Sequence, residues 1–237
     1  TNRPDEIGAL SAALRDMTDS LWSRLDAIER FAADVAHEIK NPLTSLRSAV
    51  ETVTRISDPE RQKKLLAIIL DDVGRLDRLI SDISDASRLD AELSRAESTP
   101  VQLGRLVNAL AEVQNANDDP DAPRVEVLSA ADDKYEVPGL EGRLGQVFRN
   151  LIGNAVSFSP PRGVIAVRIE RIGRRVQVSV EDQGPGIPPG KEEAIFERFY
   201  SERPEGEKFG THSGLGLSIS KQIVDAHRGQ LYAENLK

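Results

Sequence analysis

Apolar residues recur in steps of three and four through the first quarter of this 237-residue chain: Leu10, Leu14, Met17, Leu21, Leu25, Ile28, Ala32, Val35, Ile39, Pro42, Leu46, Ala49, Val53 and Ile56. That spacing is a heptad seam, which commits the segment to a helix packed in a coiled coil or bundle. Two successive steps of four, Met17 to Leu21 to Leu25, form a stutter that relaxes the supercoil. It marks either a junction between helical modules or a tolerated irregularity. The stretch SDPERQ (57 to 62) ends the helix and starts another, with Asp58 as N-cap and Pro59 at the first helical position. The second helix is predicted from about Pro59 to Leu93, with Leu65, Leu66, Ile69, Val73, Leu76, Leu79, Ile80 and Ile83 on its apolar stripe. A short connection between long helices predicts an antiparallel hairpin. One hairpin has too little core to stand alone, so two copies completing a dimeric four-helix bundle are expected.

The rest of the chain has a different pattern. RAESTP (95 to 100) reads as a linker, and PVQLGRLVNALAEV as a helix. RVEVL and KYEVPG read as strands, and GLEGRLGQVFRNLIGNAVSF as a long amphipathic helix. VIAVRIERIGRRVQVSVED reads as a β-hairpin turning near Gly173, LGLSISKQIVDAHR as a helix and QLYAE as a last strand. The expected fold class is α+β: a helical hairpin followed by an α/β sandwich with helices on one face of a mixed sheet.

Net charge is -8 with 30% charged residues, which argues against nucleic acid as a partner. There are no cysteines, which removes disulfides, thiolate metal sites and a thiol nucleophile. No run of 18 apolar residues and no signal peptide occur, and a start at TNRPDEIGAL without Met is expected of a fragment.

Within the first helix, VAHEIKNPLT (35 to 44) holds a histidine, a carboxylate, a carboxamide and a proline. His37 lies two positions past the seam residue Val35, roughly 200° around the helix, and is expected to face solvent. A core histidine is thereby disfavoured. A zinc site of the H-E-x-x-H type is disfavoured too, because position 41 is Asn. A solvent-facing imidazole can be a nucleophile, with Glu38 placed to accept its Nδ1 proton. Asn41 falls on the same face one turn on and could hold a water or phosphoryl oxygen. Pro42 removes the hydrogen bond to the Glu38 carbonyl, and a bend there suits a switch.

Three further clusters follow in order. Asn150 and Asn154 share one helix face and can reach Mg²⁺ and nucleotide phosphates. EDQGPGIP gives Asp182, Gly184 and Gly186 after a strand, where a buried Asp can accept from an amino group such as the adenine N6. HSGLGLSIS puts Gly214, Leu215 and Gly216 at a helix start, a natural phosphate site. Between them, SERPEGEKFGTHSG reads as a lid over the nucleotide.

With these residues in hand, the chain resembles the bacterial sensor histidine kinases of two-component signalling. FAADVAHEIKNPLTSLR resembles their H box, RNLIGNAVSFSP the N box, EDQGPGIP the G1 box, IFERFY the F box and HSGLGLSI the G2 box, all in family order across residues 31 to 237. The detailed wording of FAADVAHEIKNPLTSLRSAVET and THSGLGLSISKQIV is similar to ChvG-type envelope and acid-responsive kinases, and DEIGAL resembles a HAMP helix start. The resemblance implies a HAMP-like helix end at 1–26, a dimerisation and phosphotransfer domain (HisKA) at 27–95, a linker at 96–100 and a catalytic ATP-binding domain (HATPase_c, the GHKL or Bergerat fold) at 101–237 that is short at its C-terminus.

The resemblance also implies roles. His37 becomes the phospho-acceptor, Glu38 the general base, and Asn41 the residue that orients a water in phosphatase chemistry. Asn150, Asn154, Phe158, Asp182, Gly184, Gly186, Arg198, Gly214, Leu215 and Gly216 become the nucleotide site, with Asn154 toward Mg²⁺ and Asp182 toward adenine. An ordinary surface ion pair remains an equal reading for Arg198. ATP and Mg²⁺ are the implied cofactors. A homodimer and a response-regulator receiver domain are the implied partners. The implied setting is the cytoplasmic side of a bacterial inner membrane, reached only through upstream segments.

The family usually shows glycine where this chain has Arg228, so a local turn is expected to differ. Two rivals stay open: another ATPase of the fold shared with chaperones and mismatch-repair proteins, and a dimeric scaffold that binds nucleotide without transferring phosphate. HEIKNP on a helical hairpin speaks against the first. Intact His37, Glu38, Asn154 and Asp182 speak against the second.

Overall fold

Asp58 and Pro59 start the second helix as their chemistry requires: the Glu60 N–H donates to Asp58 Oδ1 at 3.1 Å. The structure is a computed structural model describing residues 6–95, 97–116, 119–129, 135–200 and 214–236. The expected lid (201 to 213 of its span), His212 and the first residue of DEIGAL lie outside the described residues. The chain forms two compact units, Thr1–Leu76 and Asp77–Lys237, whose boundary falls inside the second helix.

In the first unit, α1 (Glu6–Val53) runs through Pro42 as one helix and turns into α2 (Pro59–Arg95). The predicted seam divides in two. Pro42 and Ala49 are buried, and Val35, Ile39, Leu46 and Val53 are half-buried. Leu10, Leu14, Met17, Leu21, Leu25 and Ile28 are 44 to 69% exposed within the single chain. The α2 stripe divides likewise. Leu65, Ile69, Leu76, Leu79 and Ile83 are covered, whereas Leu66, Val73 and Ile80, seven residues apart, are exposed. Leu43 and Val50, also seven apart, are exposed on α1. The hairpin thus carries outward apolar rows at heptad spacing.

The second unit continues with β1 (Thr99–Gln102), α3 (Leu103–Asn115), β2 (Arg124–Ser129), β3 (Glu136–Gly139), α4 (Glu141–Phe158), β4 (Val164–Ile172), β5 (Arg175–Glu181), a 3-10 turn at Ala194–Phe196 and α5 (Gly216–Ala226). The described strands make a three-stranded sheet in the order β2-β4-β5, parallel then antiparallel, and an antiparallel pair β1-β3. Alternation along β4 turns Ile165, Val167 and Ile169 into the core, where they meet Val107 and Ala111 of α3 and Phe148, Ile152 and Ala155 of α4. Burying each of the large aliphatic side chains contributes roughly 1.5–3 kcal/mol.

Three expectations are corrected. The helix expected from Pro100 begins at Leu103; Pro100, Val101 and Gln102 pair with β3 instead, with Val101 buried. β1 also takes in Thr99, a residue of the expected linker. The last strand expected at 230–234 is not formed, and 229–236 is irregular. Alternation supplies strand propensity, but a strand exists only where backbone pairs with backbone.

Arg228 occupies the turn that ends α5 with φ +57°. Its N–H donates to Asp225 O at 2.9 Å, and the Gly229 N–H to Val224 O at 2.9 Å. This is the Schellman arrangement, whose left-handed position favours glycine. The turn is therefore kept despite the arginine, and the side chain bears the cost. Arg228→Gly is expected to raise stability by about 0.5–1 kcal/mol, strain relief offset partly by glycine's entropy. An unchanged or lower urea midpoint would count against it.

Candidate functional site

The first unit supplies the acceptor face. His37 and Asn41 are both exposed on α1, one turn apart, as the helix geometry predicts. Glu38 points elsewhere. Its Oε2 accepts from Arg75 Nη2 of α2 at 3.1 Å, with the two side chains only 25% and 15% exposed. Arg75 was missed by sequence reasoning, because a partner 37 residues away leaves no mark in local spacing.

The second unit supplies loops gathered around α4. Asn150 donates to Gly216 O at 3.0 Å and to Ser220 Oγ at 3.2 Å, so it ties α4 to the start of α5. Asn154, one turn on, is half-buried, and its carboxamide has no hydrogen bond among the described residues. Two asparagines that look equivalent in sequence are therefore distinct: one ties α4 to α5, and the other has no hydrogen bond among the described residues. Phe158 ends α4 against the glycine loop. A Cβ on Gly184 would lie 2.9 Å from Phe158 O and 2.8 Å from Asp182 Oδ1, so the backbone approach requires glycine there.

Asp182 corrects an expectation. It is exposed rather than buried, because it sits one residue past the end of β5 in a loop. Its Oδ1 accepts from the Gly184 N–H at 2.8 Å and shapes that loop, leaving Oδ2 for a ligand. Gly214, at φ +73°, accepts through its carbonyl from the Phe199 N–H at 2.9 Å, which joins the F-box segment to the α5 start. Leu215 is 1% exposed, and its carbonyl accepts the Ile219 N–H at 2.9 Å. Its side chain is thus a core contact, and Gly216 begins α5 with helix N–H groups facing out. Arg198 is exposed in the F-box segment.

A separate cleft of about 420 Å³ is lined by Asp82, Asp85 and Glu92 of α2 and Arg143, Gln146, Arg149 and Asn150 of α4, with Gly142. It touches the nucleotide candidates only at Asn150, and none of the glycine-loop residues lines it. Hydrogen bonds and charge from Arg143 hold the Glu92 carboxyl below the usual carboxylate range. Arg143 also donates to Gln146 Oε1 at 2.8 Å, pairing two of the residues that line the cleft. Among the described residues no helix is long and apolar enough to cross a membrane, and no group of His, Cys, Asp or Glu side chains forms a metal cluster.

The residues present fit a nucleotide with its cation. A free carboxamide, close-approach glycines and a helix N-terminus suit phosphate and Mg²⁺ together.

Known proteins agree. Residues 27–92 match the His Kinase A (phospho-acceptor) domain family. Residues 139–237, which lie within the second unit, match the histidine kinase-, DNA gyrase B- and HSP90-like ATPase family. The chain is 54% identical to Sensor protein ChvG of Rhizobium meliloti, over 100% of this chain and 42% of that protein. It is 54% identical to Sensor protein ChvG of Agrobacterium fabrum, over 99% of this chain and 40% of that protein. It therefore spans about two-fifths of the length of these relatives. The crystal structure of histidine kinase ThkA in complex with response regulator protein TrrA is similar at TM-score 0.69 and 27% identity, over 91% of this chain and 60% of that one. A helical hairpin with an exposed histidine, an α/β sandwich with glycine loops, and both family matches in that order place this chain in the sensor histidine kinase family, with ChvG-type kinases among its relatives.

Proposed function

We propose that the chain is the phosphotransfer and ATP-binding portion of a bacterial sensor kinase that phosphorylates itself on His37. The group then passes to an aspartate on a response regulator's receiver domain. The observation that carries the reading is the exposed His37 imidazole on a hairpin of phospho-acceptor type. The domain reading is a HAMP-like end at 1–26, phosphotransfer at 27–95, a linker near 96–100 and catalysis at 101–237.

In the proposed step, His37 Nε2 attacks the γ-phosphorus of substrate ATP in line. The N–P bond forms as the P–O bond to ADP breaks, and the Nδ1 proton leaves to Glu38. Arg75 engages Glu38 through Oε2, so the carboxylate must turn or use Oε1 to take that proton. Mg²⁺ bound with the nucleotide would be held at Asn154 and would offset phosphate charge. Asp182 binds adenine through Oδ2, Phe158 packs beside the base, and Gly184, Gly186, Gly214, Leu215 and Gly216 shape the loops. Asn150 braces the site, and Arg198 lies near the phosphates. Asn41 orients water for dephosphorylation of the regulator.

The outward heptad rows of Leu43, Val50, Leu66 and Val73 support a homodimer. The regulator complex of ThkA supports a receiver-domain partner. The ChvG relatives, named as sensors, support a cytoplasmic position beneath an inner-membrane sensor.

Incubation with γ-labelled ATP and Mg²⁺ tests the reading. The expected product is an acid-labile, base-stable label on the protein that chases onto a receiver domain. Bound ATP with no protein label would sink it.

A further inference from the structure

The irregular segment 229–236 makes one well-formed contact with the glycine loop after β5. Asn235 Oδ1 accepts from the Ile187 N–H at 2.7 Å, and Asn235 Nδ2 donates to Ile187 O at 2.8 Å. One side chain thus satisfies both backbone groups of one residue, as a neighbouring strand would. The residue before Ile187 is Gly186, at φ +78°, and a Cβ there would lie 2.8 Å from Asn235 Oδ1. The carboxamide therefore seats directly on the loop. Asp182 holds the loop's entry through the Gly184 N–H at 2.8 Å, and Asn235 holds its exit.

We propose that Asn235 is a positioning residue for ATP binding, clamping the exit of the Gly184–Ile187 loop from 48 residues away. The proposal rests on the reading of that loop as part of the nucleotide site. The geometry needs a donor and an acceptor side by side. Asparagine supplies both, whereas aspartate of nearly the same shape supplies two acceptors and sets one against the Ile187 carbonyl. A loosened loop must be ordered when ATP binds, which weakens binding without touching the acceptor chemistry at His37.

The test compares Asn235→Asp and Asn235→Ala with the wild-type chain. It measures Mg-ATP affinity by titration calorimetry, KM and kcat for autophosphorylation, melting temperature, and hydrogen exchange at the Ile187 amide. Loss of both hydrogen bonds in the alanine variant, and in the aspartate variant loss of the one donated to Ile187 O with a carboxylate oxygen set against that carbonyl, is expected to raise Kd and KM for ATP about tenfold, with kcat within about twofold of wild type. The Ile187 amide is expected to exchange faster in the Ala variant, and the isosteric Asp variant to keep the wild-type melting temperature. Unchanged KM in the Asp variant would overturn the proposal, as would a fall in kcat and melting temperature together with no change in KM. Asp182→Ala serves as the reference for the underlying reading. If it weakens ATP binding and the Asn235 variants do not, Asn235 alone is refuted. If wild type binds no ATP, the nucleotide reading fails and the proposal falls with it.

Discussion

Replacing His37 by alanine is expected to reduce labelling from γ-labelled ATP to background while leaving ATP affinity unchanged. The imidazole is exposed on α1, in the first compact unit, and the nucleotide candidates all belong to the second. Removing the nucleophile therefore deletes the acceptor without disturbing the ATP loops. Its solvent-facing position also makes the variant innocuous for folding, since a surface substitution of this kind shifts stability by about 0.5 kcal/mol or less. The two readouts separate cleanly: calorimetry reports the second unit, and the label reports the first. Label persisting on the alanine variant would move the acceptor elsewhere, to His227 among the described histidines. That residue is a poor alternative. Its Nε2 already accepts the Leu140 N–H at 3.0 Å, and its Nδ1 lies 2.7 Å from Ile223 O.

The Asn154→Ala variant is expected to lose autophosphorylation by about 100-fold or more. A cation on the transferring phosphates supplies several kcal/mol, and each 1.36 kcal/mol is about tenfold in rate. Asn150→Ala is the informative companion. Its carboxamide bonds Gly216 O and Ser220 Oγ, with Ser220 fully buried, so its loss removes the tie between α4 and α5 and leaves those two atoms only the bond they make with each other. That substitution should lower the melting temperature and weaken ATP binding together. Asn154→Ala should instead keep the melting temperature and change how activity depends on Mg²⁺ concentration. The opposite assignment, stability lost at 154 and kept at 150, would reverse the roles given to the pair.

Much of this molecule is legible from spacing. The Asp58-Pro59 start and the hairpin turning at Gly173 are local signals, and the structure places them where residue chemistry puts them, whereas the seam is covered only from Val35 onward. The solvent-facing position of His37 follows from its offset from Val35 by helix geometry alone. What spacing did not reveal is long-range pairing. Arg75 on Glu38, Arg143 on Glu92 and Asn235 on Ile187 join residues 37, 51 and 48 positions apart. Within its own segment each of the polar side chains looks like an ordinary exposed one. The failed strand at 230–234 is the same lesson reversed, since alternation was present and a backbone partner was not. Asn150 and Asn154 show the limit inside one helix, because their shared face is visible in sequence while the bond that occupies one of them belongs to α5.

The Glu38–Arg75 contact makes the axial register of the hairpin chemically visible. One partner adjoins the acceptor histidine on α1, and the other rides on α2. A slide of the helices by two residues is about 3 Å. That is enough to carry a 3.1 Å contact past the 4 Å reach of an ion pair. In the structure the carboxylate beside His37 is paired from across the hairpin, and a slide of that size would leave it unpaired beside the imidazole. Disulfides engineered to lock the two registers should therefore give unequal rates of autophosphorylation. Equal rates would sever the acceptor's chemistry from helix movement, whereas unequal ones make a single arginine the point where mechanical displacement reaches the acceptor's neighbour.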